Sequence, residues 1–162
     1  MTASPVRFMR GWLVRAEQTL IEQVPAAPAA VRCFYADLNN MKLVHPLVVK
    51  VRSTARSETA DGYTQSYRVR DRIPLGWWVI PTSYSARLYV PLTGAVAAEA
   101  RQFPRVRLRS TVTFEAIEAG TRIVEHLRIQ APRPLAGFTI REAVKAHRTM
   151  LAGIRRYFDL PA

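Results

Sequence analysis

The chain has 162 residues, with 24 Lys plus Arg against 12 Asp plus Glu and a formal net charge of +12. That length makes one ordinary domain, and 49% hydrophobic residues exclude a disordered chain. No apolar run approaches the ~20 residues needed to span a bilayer, and the lone cysteine, Cys33, excludes an internal disulfide or a cysteine-based metal site.

A charge of this size invites anionic partners. Yet only Lys42, Lys50 and Lys145 are lysines, and an arginine-rich genomic composition explains the excess equally well. Met1 to Leu13 carries arginines but no continuous apolar core and no small-residue cleavage site, so no signal peptide is expected. Together with the single thiol this suggests a reducing, cytoplasmic setting.

Residues 1–15 read as a basic, irregular N-terminal extension, and 16–162 as a single domain. Residues 17–24 alternate as a first strand, broken by Pro25 and Pro28. Pro28 suits the first turn of a helix, and Val31, Phe34, Tyr35 and Leu38 follow at helical spacing. A second short helix is predicted from Asn39 or Asn40, ending before Pro46.

From Val48 to about Ala131 strand follows strand. Asp61-Gly62, Pro74-Leu75-Gly76, Thr93-Gly94 and Ala119-Gly120 mark the turns, and Pro81 predicts a bulge or an edge within its strand. Pro132 and Pro134 end the sheet. The last helix begins either at a capping box, Thr139 with Glu142, or earlier near Pro134. Val144, His147, Leu151, Ile154 and Phe158 form its apolar stripe. Short turns imply an antiparallel meander. The reading is an α+β helix-grip fold: a curved sheet of about seven strands, two short helices after the first strand, and a long C-terminal helix over a cavity.

This order resembles the START/Bet v 1-like superfamily, also called SRPBCC or polyketide cyclase/dehydrase-like, over about residues 17–160. The pieces that carry the resemblance are Val24-Pro25-Ala26-Ala27-Pro28 running into Val31, Phe34 and Asp37-Leu38, then His45-Pro46. Asp71-Arg72-Ile73-Pro74-Leu75-Gly76, Gly120-Thr121-Arg122 and Ala131-Pro132-Arg133-Pro134-Leu135 follow. The resemblance implies a pocket for lipids, sterols, polyketides or other hydrophobic molecules. It carries no universal catalytic motif, and fold does not fix function.

Glu125 lies in register with Ile123, Leu127 and Ile129 and should point inward. A buried carboxylate is costly unless paired or protonated, so it is a candidate acid, base or ligand anchor. A strand residue at the sheet end, wet or paired with an arginine, is the alternative. His147 sits on the stripe of the last helix and could approach Glu125, whose charge would raise its pKa; a core histidine bonded to a backbone carbonyl is the alternative.

Tyr63, Gln65, Tyr67 and Asp71 share the inward side of one strand, with Tyr84 and Phe114 on neighbouring strands. They are candidate ligand contacts or simple core. His45 is placed at the pocket mouth, or merely ends a helix. Trp77 and Trp78 cannot both point inward on a regular strand. Trp78 is assigned to the pocket, and the exposed one to a ligand gate, a membrane-contact tip or a dimer surface. Three scattered histidines give no metal-ligand spacing, and no P-loop, G-x-G-x-x-G or nucleophile elbow is present, so neither metal nor cofactor is expected.

Three functions follow, in this order. The first is binding of a small hydrophobic molecule. The second is a polyketide cyclase/aromatase-like enzyme using Glu125 or His147 as acid-base. The third is nucleic-acid or anionic-surface binding through the arginines of the outer sheet face, such as Arg68, Arg70, Arg72, Arg107, Arg109, Arg122 and Arg128. A homodimer remains open.

Overall fold

The computed structural model describes residues 6–160. A short strand, β1 (Val6–Arg10), and a long one, β2 (Leu13–Val24), open it as a hairpin. The turn is Gly11-Trp12, with Gly11 at φ 62, a left-handed conformation that glycine adopts without strain. The irregular stretch expected over 1–15 is therefore strand at 6–10 and 13–15. Val6–Arg10 lacks the alternation that would have marked it. The rest of that stretch, residues 1–5, lies outside the described residues.

Next come α1 (Pro28–Ala36), a single 3-10 turn (Leu38–Asn40) and α2 (Met41–Val44). Pro28 occupies the first turn of α1, and the Asp37 side chain caps the following turn by accepting from the Asn39 amide at 2.9 Å. Six strands follow: β3 (Val48–Thr59), β4 (Gly62–Leu75), β5 (Trp78–Pro91), β6 (Val96–Gln102), β7 (Val106–Ile117) and β8 (Gly120–Pro132). The chain closes with α3 (Arg133–Asp159). Of the two helix starts expected, the earlier occurs. Thr139 is internal and no capping box forms.

All strand pairs are antiparallel, in the order β1-β2-β8-β7-β6-β5-β4-β3. Seven strands make the curved helix-grip sheet, and β1 adds a short eighth at its edge. β2 and β3 lie at opposite ends of the seven-strand sheet, so α1 and α2 cross the open side between them. Period-two alternation places Val112, Ile123 and Leu127 inside, in one cluster with Leu151 and Ile154 of α3, and Ile129 in a second cluster with Ala136 and Ile140.

Pro81 was read as a bulge or an edge, and it is at an edge. β5 pairs with β6 only from Ser85 onward, so the missing amide of Pro81 faces no strand on that side.

The inner face of α3 changes along its length. Met150, Leu151 and Ile154 fill the space over the sheet near its C-terminus. Ala143 and Ala146 face inward nearer its N-terminus and leave space unfilled, while Ala136 packs against the sheet. Gly153 lets α2 seat on α3, since an added Cβ would lie 2.9 Å from the Val44 carbonyl oxygen and 3.0 Å from its Cβ. Gly153→Ala should therefore destabilise the protein by ~1 kcal/mol in denaturant unfolding, because overpacking of about 1–3 kcal/mol outweighs the helix-propensity gain. A more stable variant would contradict this packing.

Candidate functional site

The space left by the small residues of α3 is a cavity of about 350 Å³. Its walls include Leu108 and Ile129 from the sheet and Ala143 and Ala146 from the helix; Phe103 and Leu135 stand at its mouth. A smaller hollow of about 80 Å³ shares His45, Tyr84, Leu108 and His147 with it. The larger volume falls at the low end of the ~300–1,000 Å³ of small-molecule sites.

Polar groups gather where the two hollows meet. Glu125 of β8 is wholly buried. The Nδ1 of His147, on α3, lies 3.0 Å from Glu125 Oε1. The Tyr35 hydroxyl, on α1, donates to the same oxygen at 3.0 Å. Glu125 lines neither hollow; His147 lines both and stands between the carboxylate and the cavity. With Nδ1 committed to Glu125, Nε2 is the nitrogen left for a guest.

His45, just after α2, stands edge-on to His147 with ring centroids 5.8 Å apart. Its Nδ1 accepts from the Leu47 amide at 3.3 Å, which fixes the tautomer with hydrogen on Nε2. Asp71 of β4 and Tyr84 of β5 complete the wall. Three buried oxygens beside the hollows have no protein hydrogen-bond partner: Asp71 Oδ1, Thr82 Oγ1 and Ser110 Oγ. Each such atom costs about 1–3 kcal/mol, so this wall favours a guest carrying polar atoms.

The electrostatics separate two neighbouring imidazoles. Burial, and then the charge of His147, push His45 down to about 3, so it stays neutral. Burial also opposes charge on His147, but the charge and hydrogen bond of Glu125 and the charge of Asp71 outweigh it, and its pKa is raised above 6.5. Burial lifts the Asp71 carboxyl to about 6, against the opposing pull of the Tyr84 hydroxyl and the His147 charge. Burial, and then the Glu125 charge, hold the Tyr35 hydroxyl protonated as a donor.

Among the candidates from sequence, Glu125, His147, His45, Asp71 and Tyr84 come together here. Five others do not. Trp78 was assigned to the pocket but is 74% exposed on a hairpin tip. Tyr63 packs at the far end of β4 beneath the Arg56 guanidinium, 3.8 Å from the ring centroid. Gln65 spends its amide on the Ala55 carbonyl at 2.9 Å. Phe114 stacks edge-on with Tyr35 at 5.7 Å. Tyr67 is core, at the base of an outer groove rather than on either inner hollow. Parity fixes which face a residue takes, but not how deep it lies, and the residues other than Trp78 sit toward the end of the sheet that α1 covers. Sequence reasoning missed Tyr35 as a polar partner; its hydroxyl among the apolar positions of α1 was the available signal.

Among the described residues no group of three or more His, Cys, Asp or Glu side chains is arranged to hold a metal ion, and no helix is long and apolar enough to cross a membrane.

No protein-family model matches the chain, and no curated protein matches it in sequence. Solved structures do. The di-domain ARO/CYC BexL superposes with a TM-score of 0.70 at 14% identity, over 91% of this chain and 51% of that one, so the chain spans about half of it. The Zhui aromatase/cyclase from Streptomyces sp. R1128 superposes with a TM-score of 0.66 at 16% identity, over 91% and 94% of the two chains. A STAR-related lipid transfer protein fragment from Xanthomonas axonopodis superposes with a TM-score of 0.64 at 14% identity, over 96% and 99%. The chain has the START/Bet v 1-like, or SRPBCC, fold.

Two measurements check the electrostatics. Glu125→Gln removes the charge that opposes burial, so the His147 ring should titrate at a lower pH by NMR; an unmoved titration would remove Glu125 as the cause. The carboxyl of Asp71 has a raised folded pKa, so its contribution to stability is complete below 3.8 and lost as pH rises through about 6. The advantage of Asp71→Asn over wild type in urea unfolding should grow across that window, and a flat difference would contradict the assignment.

Proposed function

We propose that the cavity binds a small hydrophobic molecule carrying a polar, carbonyl-like group directed at His147. The observation that carries this reading is an apolar hollow walled by Leu108, Ile129, Ala143 and Ala146 with its polar atoms gathered at one place. Concave apolar sites with a few convergent polar groups are the usual form of small-molecule sites. Lipid transfer and aromatase/cyclase activity, named for proteins of this fold, support the same class of guest.

The test is native mass spectrometry of the purified protein together with a cavity-filling variant. Wild type should carry an apolar compound. Ala146→Phe should lose it, by about tenfold or more in affinity, while keeping its far-UV spectrum, because a phenyl ring would occupy the space the guest needs. A variant that folds and binds as well as wild type would sink the reading.

A second reading, an aromatase/cyclase-like enzyme, is favoured by the position of His147 between a buried carboxylate and the cavity. In this reading neutral His147 takes a proton from the carbon next to a guest carbonyl at Nε2, and Nδ1–H stays on Glu125. The resulting carbanion attacks a second carbonyl of the same guest, forming the new C–C bond. The imidazolium then returns the proton to the alkoxide oxygen. Glu125 holds the ring's orientation and stabilises its charge, and neutral His45 Nε2–H can donate to a carbonyl oxygen. His147→Gln should leave guest affinity within a few-fold while lowering turnover by about 10²–10⁴. Equal loss of binding and turnover would make His147 a contact only.

A further inference from the structure

The β4–β5 hairpin ends in apolar side chains with no cover. Trp77 is 101% exposed and Trp78 74%, with Leu75, Val79 and Ile80 exposed beside them. Across the cavity mouth Phe103, in the β6–β7 turn, is 91% exposed, and Leu135 at the start of α3 is also exposed. Ile73, Ile80, Phe103 and Leu135 line the cavity as well. The apolar surface therefore runs without a break from the hairpin into the hollow.

Cations surround this rim. Lys50, Arg70 and Arg72 stand on the outer faces of β3 and β4 just behind the hairpin, Arg105 lies in the β6–β7 turn, and Arg133 opens α3. All five are exposed, and none forms an ion pair among the described residues. Lys50 and Arg70 face each other directly across the β3–β4 ladder, an arrangement that costs stability unless an outside anion answers it. Three arginines farther along the outer face are answered from within, since Glu99 bridges Arg101, Arg107 and Arg109.

We propose that this rim docks on an anionic lipid bilayer, with Trp77, Trp78 and Phe103 in the interfacial layer and Lys50, Arg70, Arg72, Arg105 and Arg133 against the headgroups. Charge complementarity selects the partner. Tryptophan suits the boundary between headgroups and acyl chains, whereas a water-soluble partner gives no reason for a cationic collar around a greasy tip. Single-stranded nucleic acid would need aromatics spread along the arginine face as stacking platforms, and here the exposed tryptophans lie at one end. The docked pose turns the cavity mouth toward the membrane, so an apolar guest passes between bilayer and protein without crossing water. That consequence rests on the ligand-binding reading; the docking itself does not.

Vesicle co-sedimentation tests it. The full chain should bind vesicles of phosphatidylcholine with phosphatidylglycerol, bind phosphatidylcholine alone far less, and show a blue shift in tryptophan emission on binding. Trp77→Ser with Trp78→Ser, both exposed and so expected to fold, should weaken binding by about tenfold or more. Arg70→Ala and Arg72→Ala should each weaken it about fivefold at low salt.

Three results would overturn the proposal: no vesicle binding; binding that the tryptophan changes leave intact while a single-stranded oligonucleotide competes it away; or a dimer in sedimentation velocity that the tryptophan changes dissolve. The cavity-filled Ala146→Phe variant keeps the two claims apart. It should lose its guest and still bind vesicles, so loss of either property reports on one claim alone.

Discussion

A carboxylate with no exposed surface must find its partners inside, and Oε1 of Glu125 finds them in both of the larger helices that cover the sheet, while Oε2 has none. His147 comes from α3 and Tyr35 from α1, and both meet Oε1 at 3.0 Å. The early helix α1 is thereby held at one point with β8 and the helix that directly follows it. Desolvating such a group costs several kcal/mol, and removing one partner of a buried pair is more damaging than never having had it. The same pair raises the pKa of His147, whose charge adds to burial in keeping His45 neutral beside it, and defines which nitrogen meets the cavity. Site chemistry and helix placement are thus one constraint.

The sheet alternation that supplies Glu125 also divides the molecule into two electrostatic worlds. Inward positions are nearly all apolar, so the few titratable groups there act strongly on one another. Outward positions are crowded with arginine, where water screens them and Glu99 alone holds three, its carboxyl drawn down to about 2 by them despite some burial. The excess positive charge and the buried acid-base cluster therefore belong to different faces and need different explanations.

Much of the architecture was legible because two periodicities dominate it. Period two in Ile123 to Ile129 placed Glu125 inside, and the helical stripe of α3 turned His147 toward it. What parity could not give was depth. Tyr63, Gln65 and Phe114 share the inward face with Asp71 and Tyr84, but α1 fills their end of the sheet. Whether a position meets a cavity or a neighbour depends on what the covering helix brings, and here that is decided by alanines at 143 and 146, residues with no motif to betray them. Trp78 misled for another reason: near a tight turn the strand rule no longer applies. Val6–Arg10 escaped notice because an edge strand needs only backbone partners.

The uneven lengths of the strands have a mechanical consequence. Past Asp71, β4 has left β3 behind, and before Ser85, β5 has no β6 beside it. The intervening stretch is a bare two-stranded ribbon, joined sideways through little more than the Arg72 amide on the Leu47 carbonyl at 2.9 Å. An isolated ribbon holds itself weakly. Its outward amides and carbonyls lie open to solvent, and it can twist at small cost while the seven-strand body stays fixed. One wall of the cavity mouth is thus hung on a stretch of β4 and β5 that lacks strand neighbours on its outer sides, away from the buried triad of Glu125, His147 and Tyr35.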